Sequence, residues 1–177
     1  EFVVLVRTNS KINSLADLKS KKILTINKRE EEIARKWLFV KMKKEGIKNP
    51  SEIINPFVKV PKASKRILSV FLKKADACIV TKLEFESMCE LNPQIEKQIK
   101  ILDSSPAYIT QVYCLNLSLI LEKPSNARSV VAELNKTSKA DQMLKLFKAK
   151  TLVAITLENL SSIKKLFTDY NLLSEEK

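Results

Sequence analysis

The amino-acid sequence predicts an α/β fold: an open, mostly parallel sheet flanked by helices, followed by a helical C-terminal segment. Short apolar runs alternate with segments of helical periodicity up to about residue 117. From about residue 125 to residue 173 the apolar residues keep helical spacing and strand patterns stop. The 177 residues, 45% of them hydrophobic, can bury the core of one or two domains.

Three short segments predict strands early in the chain, and the continuous apolar run at 2–6 is typical of a strand covered on both faces. They are FVVLV at 2–6, KKILTI at 21–26 and FVKV at 57–60. Ser14 and Asp17 form a near capping box that opens a short helix. A long helix is predicted from about residue 29 to Gly46, a suitable C-cap, and 47–56 reads as a loop with room for one helical turn.

The following elements repeat the alternation of helix and strand. Ser64 is predicted to cap a helix that carries Ile67, Leu68, Phe71 and Leu72 on one face. Further strands are predicted at 75–80, 99–102 and 112–117, and a further helix at 83–91.

The amino-acid composition excludes several classes of protein function. The 32 Lys and Arg residues exceed the 20 Asp and Glu residues, so the formal net charge is +12 and anionic partners are favoured. The absence of histidine removes His-based triads and His-ligated metals. The single glycine, Gly46, excludes a phosphate-binding loop and a dinucleotide fingerprint, which both need several glycines.

Cys78, Cys89 and Cys114 lack metal-ligand spacing and are interpreted as core residues. No apolar run reaches the length of a membrane span. No metal and no cofactor is predicted.

Ligands of open α/β sheets bind beyond the carboxyl ends of the strands, here predicted at 25–29, 60–64 and 80–82. Lys62 and Ser64 place an ammonium and a hydroxyl where a strand leads into a helix, an arrangement that can bind an anion. The alternative is that Ser64 only caps the helix and Lys62 is solvated.

Charged residues at the long helix also have two interpretations. Glu30, Glu31 and Glu32 are interpreted as a solvated cluster that stabilises the helix N-terminus. Basic residues could meet nucleic-acid phosphates, but a solvated face is favoured. Single-strand binding has little support, because the aromatic residues, 6% of the chain, do not alternate with the basic residues in a stacking pattern. These basic residues are Lys28, Arg29, Arg35, Lys36, Lys41, Lys43 and Lys44.

Three segments resemble type II periplasmic solute-binding proteins, in particular the phosphate/phosphonate-binding transporter family. The first is EFVVLVRTNSKINSLADLKSKKILT at 1–25, with SLADLK as its core. The second is KASKRILSVFLKKADACIV at 62–80, similar to a family helix and the strand after it, although Lys73, Lys74 and Cys78 replace small residues. The third is the helical tail at 143–166.

The resemblance implies a second lobe at 13–103, with 1–12 and 104–177 forming hinge strands and the returning, mostly helical part of the first lobe. It implies that the opening segment of the first lobe lies upstream, and hinges near 7–11 and 102–106. Ligand-binding residues are expected at Asn27, Lys62, Ser64 and Thr81. The family's anion loop falls at Glu30–Glu32, where like charge would repel a phosphonate, so the anion site is altered.

The resulting hypothesis is a non-enzymatic solute-binding domain of an ABC-type transporter or sensor, located in the periplasm or otherwise outside the cytoplasm. Its partners would be a small anionic or polar solute and a permease or sensor kinase. One alternative is a basic module that binds nucleic acid or an acidic surface, although the sequence disfavours nucleic acid. The other is an enzyme on the same fold, which the missing histidine disfavours.

Overall fold

The computed structural model of the chain describes residues 1–26, 30–110, 112, 133, 136–146, 151, 153 and 155–175. Its residues form two compact units, 1–110 with 162–177, and 111–161.

A five-stranded sheet organises the first unit. Its strands are β1 (Phe2–Arg7), β2 (Ile23–Thr25), β3 (Val58–Lys59), β4 (Ala77–Thr81) and β5 (Ile99–Ser104), in the spatial order β3-β2-β4-β1-β5. Strand β2 pairs in parallel with β3 and β4, whereas β1 pairs antiparallel with β4 and β5. The sheet is therefore mixed, with β1 running against the other four strands.

Helices follow most of the strands. They are α1 (Glu30–Lys44), α2 (Pro50–Ile54), α3 (Ala63–Phe71), α4 (Lys82–Leu91), α5 (Pro93–Gln98) and α7 (Ser161–Glu175), and a 3₁₀ turn spans Ala16–Leu18. Gly46, at a φ of +82°, ends α1 in the left-handed conformation that favours glycine.

Helices bury both faces of the sheet. Successive residues of a strand point to opposite faces, so each strand contributes to two cores. Val4 and Val6 belong to a core with α1, α2 and Leu166 of α7. Val3 and Leu5 belong to the other core, with α3, α4 and α5. The continuous apolar run of β1 thus packs against helices on both faces of the sheet.

The second unit contains α6 (Ser138–Leu146), in which Ala140 and Leu144 are buried. Thr137 caps α6 by accepting a hydrogen bond from the Ala140 N–H at 3.2 Å. A 3₁₀ turn follows at Leu157–Leu160.

The structure confirms the open α/β sheet with flanking helices and a helical C-terminal segment. The predicted strand at 112–117 lies outside the described residues, apart from Val112, and Cys114 lies outside them too. Prediction missed α5, although Asn92 and Pro93 are a typical helix start; Asn92 accepts a hydrogen bond from the Gln94 N–H.

The predicted lobe boundaries stay a prediction. Within the first unit, β1 precedes residue 13 and lies inside the same sheet as the segments that follow. Phe2 and Ser105 are neighbours: the N–H of each residue donates to an oxygen of the other at 2.8 Å. Arg7, at the end of β1, pairs with Ile99 at the start of β5. It therefore lies at the other end of these strands from Ser104.

Candidate site at the carboxyl edge of the sheet

Three parallel strands end side by side at one edge of the sheet. Thr25 lies opposite Lys59, and the N–H of Val60 donates to the Thr25 carbonyl at 2.9 Å. Thr81 ends β4 at the same edge, since β4 is parallel to β2. Helices α1, α3 and α4 begin within five residues of these strand ends. This edge is therefore the place where an open α/β sheet binds ligands.

Arg66 organises this edge from a buried position on α3. Its side chain is fully buried, and Nη1 donates to the carbonyl oxygens of Val60 at 2.7 Å and Pro61 at 3.0 Å. Its Nη2 lies 3.4 Å from Oε2 of Glu84 on α4. Burial lowers the pKa of the Arg66 guanidinium, and Glu84 opposes that shift. Arg66 thus connects the end of β3 to the start of α4.

Thr81 is the N-cap of α4. Its hydroxyl accepts a hydrogen bond from the Glu84 N–H at 3.2 Å, and the Glu84 carboxylate accepts one from the Thr81 N–H at 2.8 Å. This reciprocal capping box satisfies two backbone donors. The Glu84 carboxylate therefore links the helix start to Arg66.

Lys62 and Ser64 lie at the start of α3. Lys62 is the exposed N-cap residue, and no side chain among the described residues caps this helix. The prediction that Ser64 caps α3 is wrong, because the helix begins at Ala63 and Ser64 lies within its first turn. The first amides of α3 therefore stay available to a ligand.

Thr25 adds a buried hydroxyl at the end of β2. Its side chain is fully buried, and Oγ1 has no hydrogen-bond partner among the described residues. Nε of Arg66 is the other buried side-chain atom without a partner in the described part of the chain. Asn27, the fourth predicted site residue, lies outside the described residues.

The glutamates at α1 differ from the predicted solvated cluster. Glu31 is buried, and its carboxylate lies 3.2 Å from Nζ of Lys59 and 3.4 Å from Nη1 of Arg35. Glu32 is exposed, as expected, and the side chain of Glu30 is not described. Two cations neutralise Glu31 because a buried carboxylate needs charged or hydrogen-bonding partners.

The sequence analysis missed Arg66 and Lys59 as parts of this edge, and it missed the burial of Glu31, which the family resemblance places at the anion loop. Arg66 gave one signal, since it precedes Ile67 and lies four residues before Val70, so it shares their buried helix face. The other two gave none, because only the fold brings Lys59 of β3 to α1.

The residues at this edge supply donors and helix amides rather than reactive groups. In the described ranges no cluster of His, Cys, Asp and Glu could hold a metal ion. No described helix is both long and apolar enough to cross a bilayer. Such donors and helix amides can bind a polar or anionic molecule.

Fold and site together define an α/β protein with the open sheet and flanking helices of the periplasmic-binding-protein-like fold. Residues 1–160 match the family described as ABC transporter, phosphonate, periplasmic substrate-binding protein. The chain belongs to that family, as its sequence motifs imply. A comparison with curated proteins found no significant match.

Solved structures share the fold. XAC2383 from Xanthomonas citri, bound to chloride ion in one structure and to ATP in another, has 12% identity and TM-scores of 0.68 and 0.69. The matches cover 99% and 98% of this chain but 66% of XAC2383, so this chain spans just under two thirds of its length. The L-cystine solute receptor of Neisseria gonorrhoeae matches 60% of this chain and 38% of its own, with 22% identity and a TM-score of 0.39.

Proposed function

We propose that this chain forms a non-enzymatic solute-binding domain of an ABC-type transporter or sensor, and that it holds a small anionic or polar solute at the carboxyl edge of its sheet. The observation that carries the proposal is that β2, β3 and β4 end side by side and each leads into a helix. Helix N-termini and the side chains beside them are natural anion-binding groups.

Lys62, Ser64, Thr81 and Asn27 are the proposed ligand-binding residues. Lys62 is exposed and makes no ion pair with described residues, so its ammonium is available to a solute. Ser64 lies in the uncapped first turn of α3. Thr81 uses its hydroxyl oxygen as an acceptor within the capping box, which leaves the hydroxyl proton for a ligand acceptor.

The anion site is proposed to differ from that of a phosphonate receptor. A carboxylate, Glu31, occupies the start of α1 together with its two cations. An incoming phosphonate would compete with Glu31 for Lys59 and Arg35. The chloride and ATP bound by XAC2383 are both anions, and both belong in the ligand screen.

The partners and location follow from the family and are part of the proposal. A permease, or a sensor kinase, would read the closure of a two-lobed receptor around its solute. Such a receptor works outside the cytoplasm.

A thermal-shift screen of the 177-residue chain tests the proposal. The panel holds phosphate, phosphonates, sulfate, chloride, carboxylates, amino acids and ATP, and a bound solute raises the melting temperature by mass action. Lys62→Ala combined with Ser64→Ala should abolish the shift that a solute bound at this edge produces. Lys74→Ala is the matched control, because Lys74 is an exposed lysine beyond the other end of α3. An undiminished shift in the double variant would refute this site assignment.

The alternative function, a basic module for nucleic acid or an acidic surface, draws support only from the net charge of +12. Most described basic residues of α1 are already paired. Arg35 pairs with Glu31, Lys41 with Glu45 and Asp103, and Lys44 with Asp169. Nucleic-acid binding with a steep salt dependence, unchanged by the Lys62 and Ser64 substitutions, would favour this alternative.

A further inference from the structure

A polar cavity lies among α1, α2 and α7 of the first unit. Its volume is about 130 Å³, several times the space that one water molecule needs. Arg35, Lys36, Ser51 and Asn55 line it with hydrogen-bond donors, and Glu32 lines it with a carboxylate. Phe39 and Tyr170, whose ring centroids lie 5.0 Å apart, contribute apolar walls.

Lys36 holds a positive charge in this cavity, and its Nζ makes no hydrogen bond to another described residue. Its side chain is only 16% exposed, and Nζ lies 3.9 Å from the centroid of the Tyr170 ring and 5.0 Å from that of Phe167. The nearest carboxylate oxygen, Oε1 of Glu32, is 3.6 Å from Nζ. The two rings attract the cation but accept none of its three protons as an oxygen would.

Arg35 and Asn55 also have donors to spare. Arg35 gives one N–H to Oε1 of Glu31 at 3.4 Å and one to Oδ1 of Asn55 at 3.3 Å, and a guanidinium has five. Because Oδ1 of Asn55 accepts from Arg35, the amide NH₂ of Asn55 is left without an acceptor among the described residues. The Ser51 hydroxyl likewise has no described partner.

We propose that this cavity binds a tetrahedral, doubly charged oxyanion of the phosphate or sulfate class. Two cations with two neutral donors match an anion that has four acceptor oxygens. The ammonium and the guanidinium disfavour a cation in this cavity. Glu32 opposes the anion, but its side chain is 67% exposed and can turn to solvent at the small cost of an exposed ion pair.

The test is a titration of the isotope-labelled 177-residue chain with inorganic phosphate, followed by NMR, with sodium chloride holding the ionic strength constant. Saturable shifts of the Arg35, Lys36 and Asn55 signals are expected. Lys36→Gln should weaken binding about tenfold or more. Lys44→Gln removes the same charge from the same helix outside this cavity and should leave the affinity unchanged within about twofold.

Asn55→Asp is the second variant. It keeps the acceptor for Arg35 while it removes a donor and adds a negative charge, so it should abolish phosphate binding without unfolding the chain. Lys62→Ala should leave these shifts intact, which separates this cavity from the carboxyl edge. Shifts that do not saturate, or that persist in Asn55→Asp, would overturn the proposal. Tighter binding of phenyl phosphate would identify a phosphoryl group on a larger ligand, and equal binding would identify the free ion.

Discussion

Nη2 of Arg66 lies 3.4 Å from the carboxylate of Glu84, although the Arg66 side chain is fully buried. The same guanidinium donates to the carbonyls of Val60 and Pro61. One buried charge therefore holds the end of β3, the body of α3 and the start of α4 in a fixed arrangement. Because the proposed ligand-binding residues Lys62, Ser64 and Thr81 lie on these elements, the shape of the site depends on Arg66.

Replacing Arg66 should destabilise the fold. Arg66→Ala leaves two backbone carbonyls without their donor and removes the partner of Glu84. We expect the free energy of unfolding to fall by about 3 kcal/mol, measured by urea denaturation. Arg66→Met fills most of the volume and should cost less than the alanine variant.

Lys65→Ala is the matched control, since Lys65 is the exposed neighbour on the same helix. It should change the free energy of unfolding by no more than about 0.5 kcal/mol. Equal stabilities of Arg66→Ala and Lys65→Ala would show that the network around Arg66 is unimportant.

The capping box at α4 gives a second prediction. Thr81→Ala removes the oxygen that accepts from the Glu84 N–H and should lower the free energy of unfolding by about 1 kcal/mol. Thr81→Ser keeps that oxygen and should cost only a few tenths of that amount. Urea denaturation of both variants checks this. If serine and alanine are equally destabilising, the methyl group rather than the cap is responsible.

The sequence predicted those elements whose pattern is local. The β-branched run at 2–6 predicts β1 because both faces of that strand are buried. That β1 runs antiparallel between β4 and β5 has no local signal, since strand pairing is decided by the whole chain. Helix α2 has the same start signal as α5, an asparagine followed by proline at Asn49–Pro50.

The sequence predicted where the site lies, but it did not predict the hydrogen bonds and ion pairs that connect its residues. Strand ends indicate the carboxyl edge, and Lys62 lies there. An isolated arginine in a lysine-rich segment reads as solvated, so Arg66 was overlooked. Glu31 was interpreted as solvated because a helix N-terminus stabilises a carboxylate, whereas tertiary packing buries it beside Lys59 and Arg35.

Cys78 should be chemically inert in the folded protein. Burial raises the pKa of its thiol to about 12, and the side chain lies in the core with Val3 and Leu5. At about pH 8 the reactive thiolate is then on the order of one molecule in ten thousand. A thiol reagent followed by peptide mass mapping should label Cys78 only as fast as the protein unfolds.

Cys89 provides the internal comparison. It is half-buried, and burial together with Glu96 and Glu86 raises the pKa of its thiol. It should react faster than Cys78 but more slowly than in urea, where the two become equal. Rapid native labelling of Cys78 would show that the second core opens easily.

Asp17 should make folding sensitive to acid. Its carboxylate accepts hydrogen bonds at 2.9 Å from the N–H groups of Asn13 and Ser14 and from the Ser14 hydroxyl. These bonds, the one from the Asn13 backbone first, hold the pKa of Asp17 below its ordinary value of 3.8. The charged form is therefore favoured in the folded state. Its stabilising effect is full above the unfolded pKa and is lost as the pH falls through the folded pKa.

Urea denaturation of the parent chain and Asp17→Asn over a pH series measures this effect. The parent should be more stable at neutral pH, and the difference should shrink once the pH falls below about 4 and Asp17 becomes protonated. Ser14→Ala removes one of the three bonds and should move the pKa of Asp17, followed by NMR, part of the way back toward 3.8. A difference between parent and Asp17→Asn that stays constant from neutral to strongly acidic pH would mean that the substitution acts through packing rather than through the charge.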